Sequence, residues 1–129
     1  TEAEFAETQK LVQALPLTYA HVFPFSARPG TRAASMPGSV DKPTRTKRAA
    51  ILRELTELKK QAFLELLLAK FKHKPLHMIL ESRETGLGVS EYYAECRLLE
   101  VPPGVRAKAC LQVIAVAVEG ERLLVKAQS

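Results

Sequence analysis

Apolar residues recur along this chain first with a helical period and later with a period of two. Phe5, Val12 and Leu15 fall near one face of a helix over residues 1–15. Thr1 and Glu4 supply a Thr-x-x-Glu capping box at its start, and Pro16 stops it. Residues 17–25, Leu-Thr-Tyr-Ala-His-Val-Phe-Pro-Phe, form a short apolar run rich in β-branched and aromatic types. That run predicts a buried strand ending near Pro24. Pro29, Gly30, Pro37, Gly38 and Pro43 make the stretch from Ser26 to Pro43 a loop.

A long helix is predicted over residues 44–71, capped by Thr44 or Thr46. Leu55, Leu58, Ala62, Leu66 and Ala69 make its apolar stripe, broadened by Leu52, Phe63 and Leu67. Pro75 cannot continue a helix, and after it the period changes to two. Strands are predicted over Leu76–Glu81, over 89–99 with Tyr92 and Tyr93 inside it, over 105–118 and over Arg122–Ala127. Thr85-Gly86-Leu87-Gly88 reads as a turn, Pro102-Pro103-Gly104 as a break and Glu119-Gly120-Glu121 as a tight hairpin. Four or five short strands in so short a span suggest a small antiparallel barrel of the oligonucleotide-binding type. The expected class is therefore α+β, in three parts: 1–40, a linker helix over 41–74, and a barrel over 75–129. The opening helix and lone strand have no sheet of their own, so residues 1–40 look like the last αβ piece of a larger α/β domain.

Composition narrows the picture. The 129 residues are 47% hydrophobic and 26% charged, with 6 Gly and 8 Pro, which excludes a disordered tail, a collagen-like fibre and a disulfide scaffold. No apolar run approaches a membrane span, and the acidic opening Thr1-Glu2-Ala3-Glu4 is no signal peptide. The sequence opens at Thr1 without an initiator Met, which fits a piece of a longer protein. Two cysteines, Cys96 and Cys110, suit a reducing cytoplasm and are too few for a cysteine-held cluster. The net charge of +5 is unevenly placed: residues 41–74 hold ten bases and four acids, whereas 75–129 hold six bases and seven acids. A basic middle fits a polyanion partner, nucleic acid first, although a solvated helix face would read the same way.

Specific residues then point to a family. His21-Val22-Phe23-Pro24-Phe25-Ser26-Ala27-Arg28-Pro29-Gly30-Thr31 resembles the signature that ends the catalytic domain of radical-SAM methylthiotransferases. Thr1–Thr8 resembles the stretch that follows their Gly-Phe-Pro-Gly-Glu turn, and the long helix with Lys47-Arg48 resembles their linker. The terminal module is similar to their TRAM domain, a small RNA-binding barrel, with Gly88-Val89-Ser90-Glu91-Tyr92-Tyr93 where the family tends to have Gly-x-Thr-x-Asn-Tyr. The His-Val-Phe-Pro form is most similar to the branch acting on threonylcarbamoyladenosine beside the tRNA anticodon. The resemblance implies the C-terminal part of an enzyme that adds a methylthio group to a modified adenosine. It implies two 4Fe-4S clusters and S-adenosylmethionine in the parent, needing a Cys-x-x-x-Cys-x-x-Cys array and three further cysteines in an upstream domain, none of them here, so this piece alone should be inactive. The alternative is a non-enzymatic RNA- or protein-interaction module that shares the barrel.

Candidate contacts follow from both readings. Arg45, Lys47 and Arg48 stand at the basic start of the helix, and Arg83, Arg97, Arg106 and Lys108 in the barrel are further phosphate contacts or ordinary surface charge. Tyr92 and Tyr93 are candidates to stack on an unpaired base. Arg28 either pairs with an acid at the end of the parent barrel or meets the anticodon loop. The resemblance places His21 and Phe23 near S-adenosylmethionine in the parent. His73 and His77 are spaced for a helical metal site, but Pro75 between them removes it. The implied partners are the tRNA anticodon stem-loop, the remainder of the parent chain and a second copy of this piece through the orphaned strand at 17–25.

Overall fold

The computed structural model describes residues 1–128. The chain divides into two compact units, Thr1–Lys60 and Gln61–Ser129, with the division inside a long helix.

The first unit opens with α1 (Glu2–Ala14). The Thr1 hydroxyl accepts from the Glu4 amide at 3.2 Å and donates to the Glu4 carboxylate at 3.0 Å, which is the expected capping box. Leu15 turns extended and ends the helix before Pro16. The strand expected at 17–25 does not form. The segment bends at Thr18 and pairs with no strand among the described residues, because no neighbouring sheet there accepts its ladder. A 3-10 turn, Arg32–Ser35, follows, capped by the Thr31 hydroxyl.

The helix α2 spans Lys42–Phe71. Its cap is Asp41, not Thr44 or Thr46: the Asp41 carboxylate accepts from the Thr44 amide at 3.1 Å and from the Thr44 hydroxyl at 2.7 Å. The expected stripe is also corrected. Leu58 and Leu66 are each 64% exposed, and Ala62 and Ala69 are exposed too. The buried positions in the second unit are Leu64, Leu67 and Phe71, one face rotated from the expected one. With apolar residues nearly all round this stretch, periodicity alone did not choose the side.

The second unit is a closed barrel of five strands: β1 (Leu76–Leu80), β2 (Leu87–Ser90), β3 (Glu95–Leu98), β4 (Cys110–Glu119) and β5 (Arg122–Ala127). The order around the barrel is β1-β2-β3-β5-β4. Four pairings are antiparallel, but β3 and β5 close the barrel in parallel, so it is not antiparallel throughout. Alternate residues point inward: Leu76, Met78 and Leu80 from β1, Cys96 and Leu98 from β3, Val113 and Ala115 from β4, Leu123 and Val125 from β5. Gly88 sits opposite Leu80, where a Cβ would run into the Ile79 carbonyl and the Met78 side chain. Only glycine lets β1 and β2 approach there. The hairpin at Glu119-Gly120-Glu121 forms as expected, with Glu119 opposite Arg122 and Gly120 at φ 59°.

Tyr92 and Tyr93 do not lie within a strand. They occupy the tight turn between β2 and β3. The buried Ser90 hydroxyl accepts from the Tyr92 amide at 3.3 Å and the Ala94 amide at 3.2 Å, fixing that turn. Tyr93 takes the left-handed conformation at φ 59° as a result.

Candidate nucleic-acid interface

Several cations of the first unit are engaged by the chain itself. Arg45 donates from Nη1 to the Phe25 carbonyl at 2.7 Å and lies 5.9 Å from the Phe25 ring centre. Arg53 donates from Nε and Nη2 to the Val22 carbonyl at 3.1 and 2.8 Å, and Lys59 to the Gln13 carbonyl at 3.0 Å. Arg48 donates to the Glu2 carboxylate at 2.7 Å and lies 5.2 Å from the Phe5 ring centre. That guanidinium holds the Glu2 carboxyl below its ordinary range. The helix therefore clasps the extended segment through its carbonyls in place of a sheet. Carbonyl partners do not neutralise Arg45 and Arg53, so the unit stays positive. Lys47 is exposed, as is Arg28, whose backbone carbonyl accepts from the Thr31 hydroxyl at 2.8 Å. His21 and Phe23 are exposed, Phe23 by 82%, and Tyr19 meets the His21 ring edge-on at 5.4 Å.

In the second unit, Arg97 is occupied by a bidentate pair with Glu119 at 2.7 and 2.8 Å. Arg122 pairs with Glu95 at 3.0 Å. Arg83 is exposed on one turn, and Arg106 and Lys108 are exposed together on another, Lys108 at φ 69°. The two tyrosines differ. Tyr92 packs on Phe71, with ring centres 5.3 Å apart, and Lys70 stands 5.1 Å above it. Tyr93 is 86% exposed and projects from the turn.

The structure adds residues the sequence reading left out. Lys70 also lies 5.4 Å from the Phe71 ring centre, and Lys74 lies 5.6 Å from it. Lys70 and Lys74 thus flank an aromatic pair at the end of α2, and Lys72, between them in sequence, is exposed. The alternation Lys70-Phe71-Lys72-His73-Lys74 was present in the sequence as its signal. Beside it, a groove of about 440 Å³ on the outer barrel face is lined by His77, Ile79, Glu91, Tyr93 and Cys110 among others. Glu91 accepts from the His77 amide at 3.1 Å, and this hydrogen bond lowers its carboxyl from the ordinary value. Gln112 reaches His77 Nε2 at 3.3 Å.

The residues present do not fit an iron–sulfur cluster. Cys96 is buried inside the barrel, its thiol pushed up to about 12 by that burial, while Cys110 is exposed on the outer face. Among the described residues no three His, Cys, Asp or Glu side chains gather as metal ligands. No helix among them is long and apolar enough to cross a membrane.

Fold and surface together define a small closed β-barrel entered by a long helix, with a basic, aromatic rim at the helix end. Comparison with known proteins then names its relatives. Over 65 residues, half of this chain, it is 43% identical to the threonylcarbamoyladenosine tRNA methylthiotransferase MtaB of Treponema pallidum. The same extent is 35% identical to the MtaB of Aquifex aeolicus. Over 54 residues, 42% of the chain, it is 41% identical to the tRNA-2-methylthio-N(6)-dimethylallyladenosine synthase of Shewanella putrefaciens. The matched part spans only 14%, 16% and 11% of those relatives. No family model matches. Half of the chain is thus similar to tRNA methylthiotransferases, as its motifs imply.

Proposed function

We propose that this chain is the tRNA-docking, C-terminal part of a cytoplasmic methylthiotransferase that modifies an adenosine next to the anticodon. The carrying observation is the likeness to three named tRNA methylthiotransferases over about half its length. The threonylcarbamoyladenosine branch is favoured because the 43% relative carries that name. The closed barrel beyond α2 supports a TRAM-like module, since small barrels of this kind present strands and turns to oligonucleotides.

In this reading the radical chemistry belongs to residues outside the chain. The two cysteines here would hold no cluster, so the cofactors and the sulfur chemistry would be supplied by residues of the parent outside this chain. His21 and Phe23 would flank the S-adenosylmethionine site from the end of the catalytic domain, and their exposure in this chain supports a surface made to be covered. Arg28, Arg45, Lys47 and Arg48 would meet phosphates from the linker side, and Arg83, Arg106 and Lys108 from the barrel. Arg97 and Tyr92 are held by Glu119 and Phe71, so they would act mainly by keeping the barrel surface in place.

Filter binding with unmodified tRNA tests the reading. Binding that weakens steeply with salt is expected, at a slope of roughly −0.7 to −0.9 per phosphate contact. Retention no greater than that of an uncharged control polymer would refute it.

A further inference from the structure

We infer that the end of α2 and the β2–β3 turn form one single-stranded RNA contact, in which Lys72 and Lys74 take phosphates and Tyr93 stacks on a base. The inference rests on the tRNA-docking reading and assigns it a surface.

The geometry separates two kinds of residue. Phe71 is buried in the barrel core and Tyr92 packs on it, so these rings form the base of the patch. Lys70 is drawn over both rings and lies 3.5 Å from the Tyr92 hydroxyl, which orients it. Lys72 and Lys74 lie beyond the last residue of the helix and are exposed. Among the described residues neither pairs with a carboxylate. Glu91 feels the charge of Lys70 and already accepts from the His77 amide. Elsewhere on the barrel Arg97 and Arg122 are paired with Glu119 and Glu95, and the exposed Arg106 and Lys108 share a turn that has no aromatic ring beside it in sequence.

Tyr93 supplies what a general anion surface lacks. The Ser90 hydroxyl ties the turn on both sides of it, and the left-handed backbone throws the ring outward. A ring presented on a fixed turn can stack on a base without first being ordered, and stacking tolerates any base. Lysines that hold phosphates beside a free aromatic face match a looped or unpaired strand, whose bases are available. A duplex hides them.

The test uses the full chain, a fluorescent hairpin RNA with an unpaired loop, and a blunt duplex RNA without one. Lys72→Gln with Lys74→Gln should flatten the salt slope by about one and a half units on both probes. Tyr93→Asn keeps a residue type that accepts the left-handed conformation while removing the ring. It should weaken hairpin binding about tenfold or more at every salt concentration and leave duplex binding unchanged. Wild-type affinity and slope in both variants, with loss on changing Arg45, Lys47 and Arg48 to Ala, would move the contact to the first unit. That result overturns the inference and leaves tRNA docking standing. Competition by polyglutamate as strong as by the hairpin would also overturn it, as a general anion surface. Failure of the wild-type chain to bind either RNA would overturn both readings.

Discussion

The two units of this chain solve the same problem in opposite ways. In the barrel, inward side chains from four of the five strands and from α2 meet in a continuous core, and Leu76, Leu80, Val113, Leu123 and Val125 are fully shielded. In the first unit nothing before Ala49 is buried, and Leu11, Leu15, Tyr19, Phe23 and Phe25 stand exposed. What holds that unit is a set of cations on backbone carbonyls and rings: Arg45, Arg53 and Lys59 on carbonyls, Arg48 on Glu2 and Phe5. Hydrogen bonds in water contribute little net stability, whereas buried apolar area contributes much. The contrast teaches that buried apolar area organises the barrel, whereas cations on carbonyls and rings organise the first sixty residues.

The sharpest way to break the contrast is to delete one apolar side chain from each side. Leu123→Ala opens a cavity at a fully buried position and should cost about 3 kcal/mol. Phe23→Ala removes a larger side chain, but one 82% exposed, and should stay within about 0.5 kcal/mol. Urea unfolding followed by circular dichroism measures both. A Phe23 effect as large as the Leu123 effect would show that the first unit has a core of its own.

Association sharpens the same point. Leu11, Phe23 and Phe25 each stand exposed in the first unit, and large apolar side chains left open favour association where they adjoin. Size exclusion with light scattering should give a dimer or larger species. Phe23→Ser should weaken that association by about tenfold, the worth of one large apolar side chain. A monomer at all concentrations would mean that the surface needs a different partner.

How much of this contrast was legible differs between the units for physical reasons. The barrel was readable because alternation on a half-buried strand leaves a period of two, as in Leu123 and Val125, and because Gly120 marks a hairpin. Its parallel closure by β3 and β5 was not, since pairing between distant strands leaves no local pattern. The turn at Tyr92-Tyr93 hid within a β-prone stretch; only Ser90, whose hydroxyl ties the turn, distinguished it. In the first unit the capping box was written in Thr1 and Glu4. The carbonyl clasp was invisible, because any lysine or arginine in sequence reads as a solvated charge or a phosphate contact. The rim at Lys70–Lys74 was visible but overshadowed by the denser cluster at Arg45–Arg48.

Cysteine labelling distinguishes inside from outside within the barrel. Burial pushes the Cys96 thiol up to about 12, and its Sγ is committed to the Ala94 carbonyl at 3.5 Å. Cys110 is exposed. Iodoacetamide at mildly alkaline pH should therefore add one label, at Cys110, and a second only after denaturation. Equal labelling of both in the native protein, read by peptide mass spectrometry, would mean that the barrel opens readily.

The smallest expected effect is a pH dependence that belongs to the barrel's outer surface. The Arg97 hydrogen bonds, then its charge, hold the Glu119 carboxyl below the ordinary value of 4.5, with Arg122 adding to this. A carboxyl whose folded pKa is depressed contributes stability above its unfolded pKa and loses it as pH falls through the folded one. The loss should therefore begin just below pH 4.5 and be complete below the folded value. Glu119→Gln removes the titrating group, so its urea midpoint should lie slightly below wild type near neutrality and converge with it in acid. Because the pair is exposed, the gap should be small and should shrink further in high salt. Glu2, its carboxyl likewise lowered by Arg48, lies in the first unit. Glu2→Gln should leave the barrel's acid profile unchanged. If it moves the profile as far as Glu119→Gln does, the two units unfold as one and the contrast between them fails.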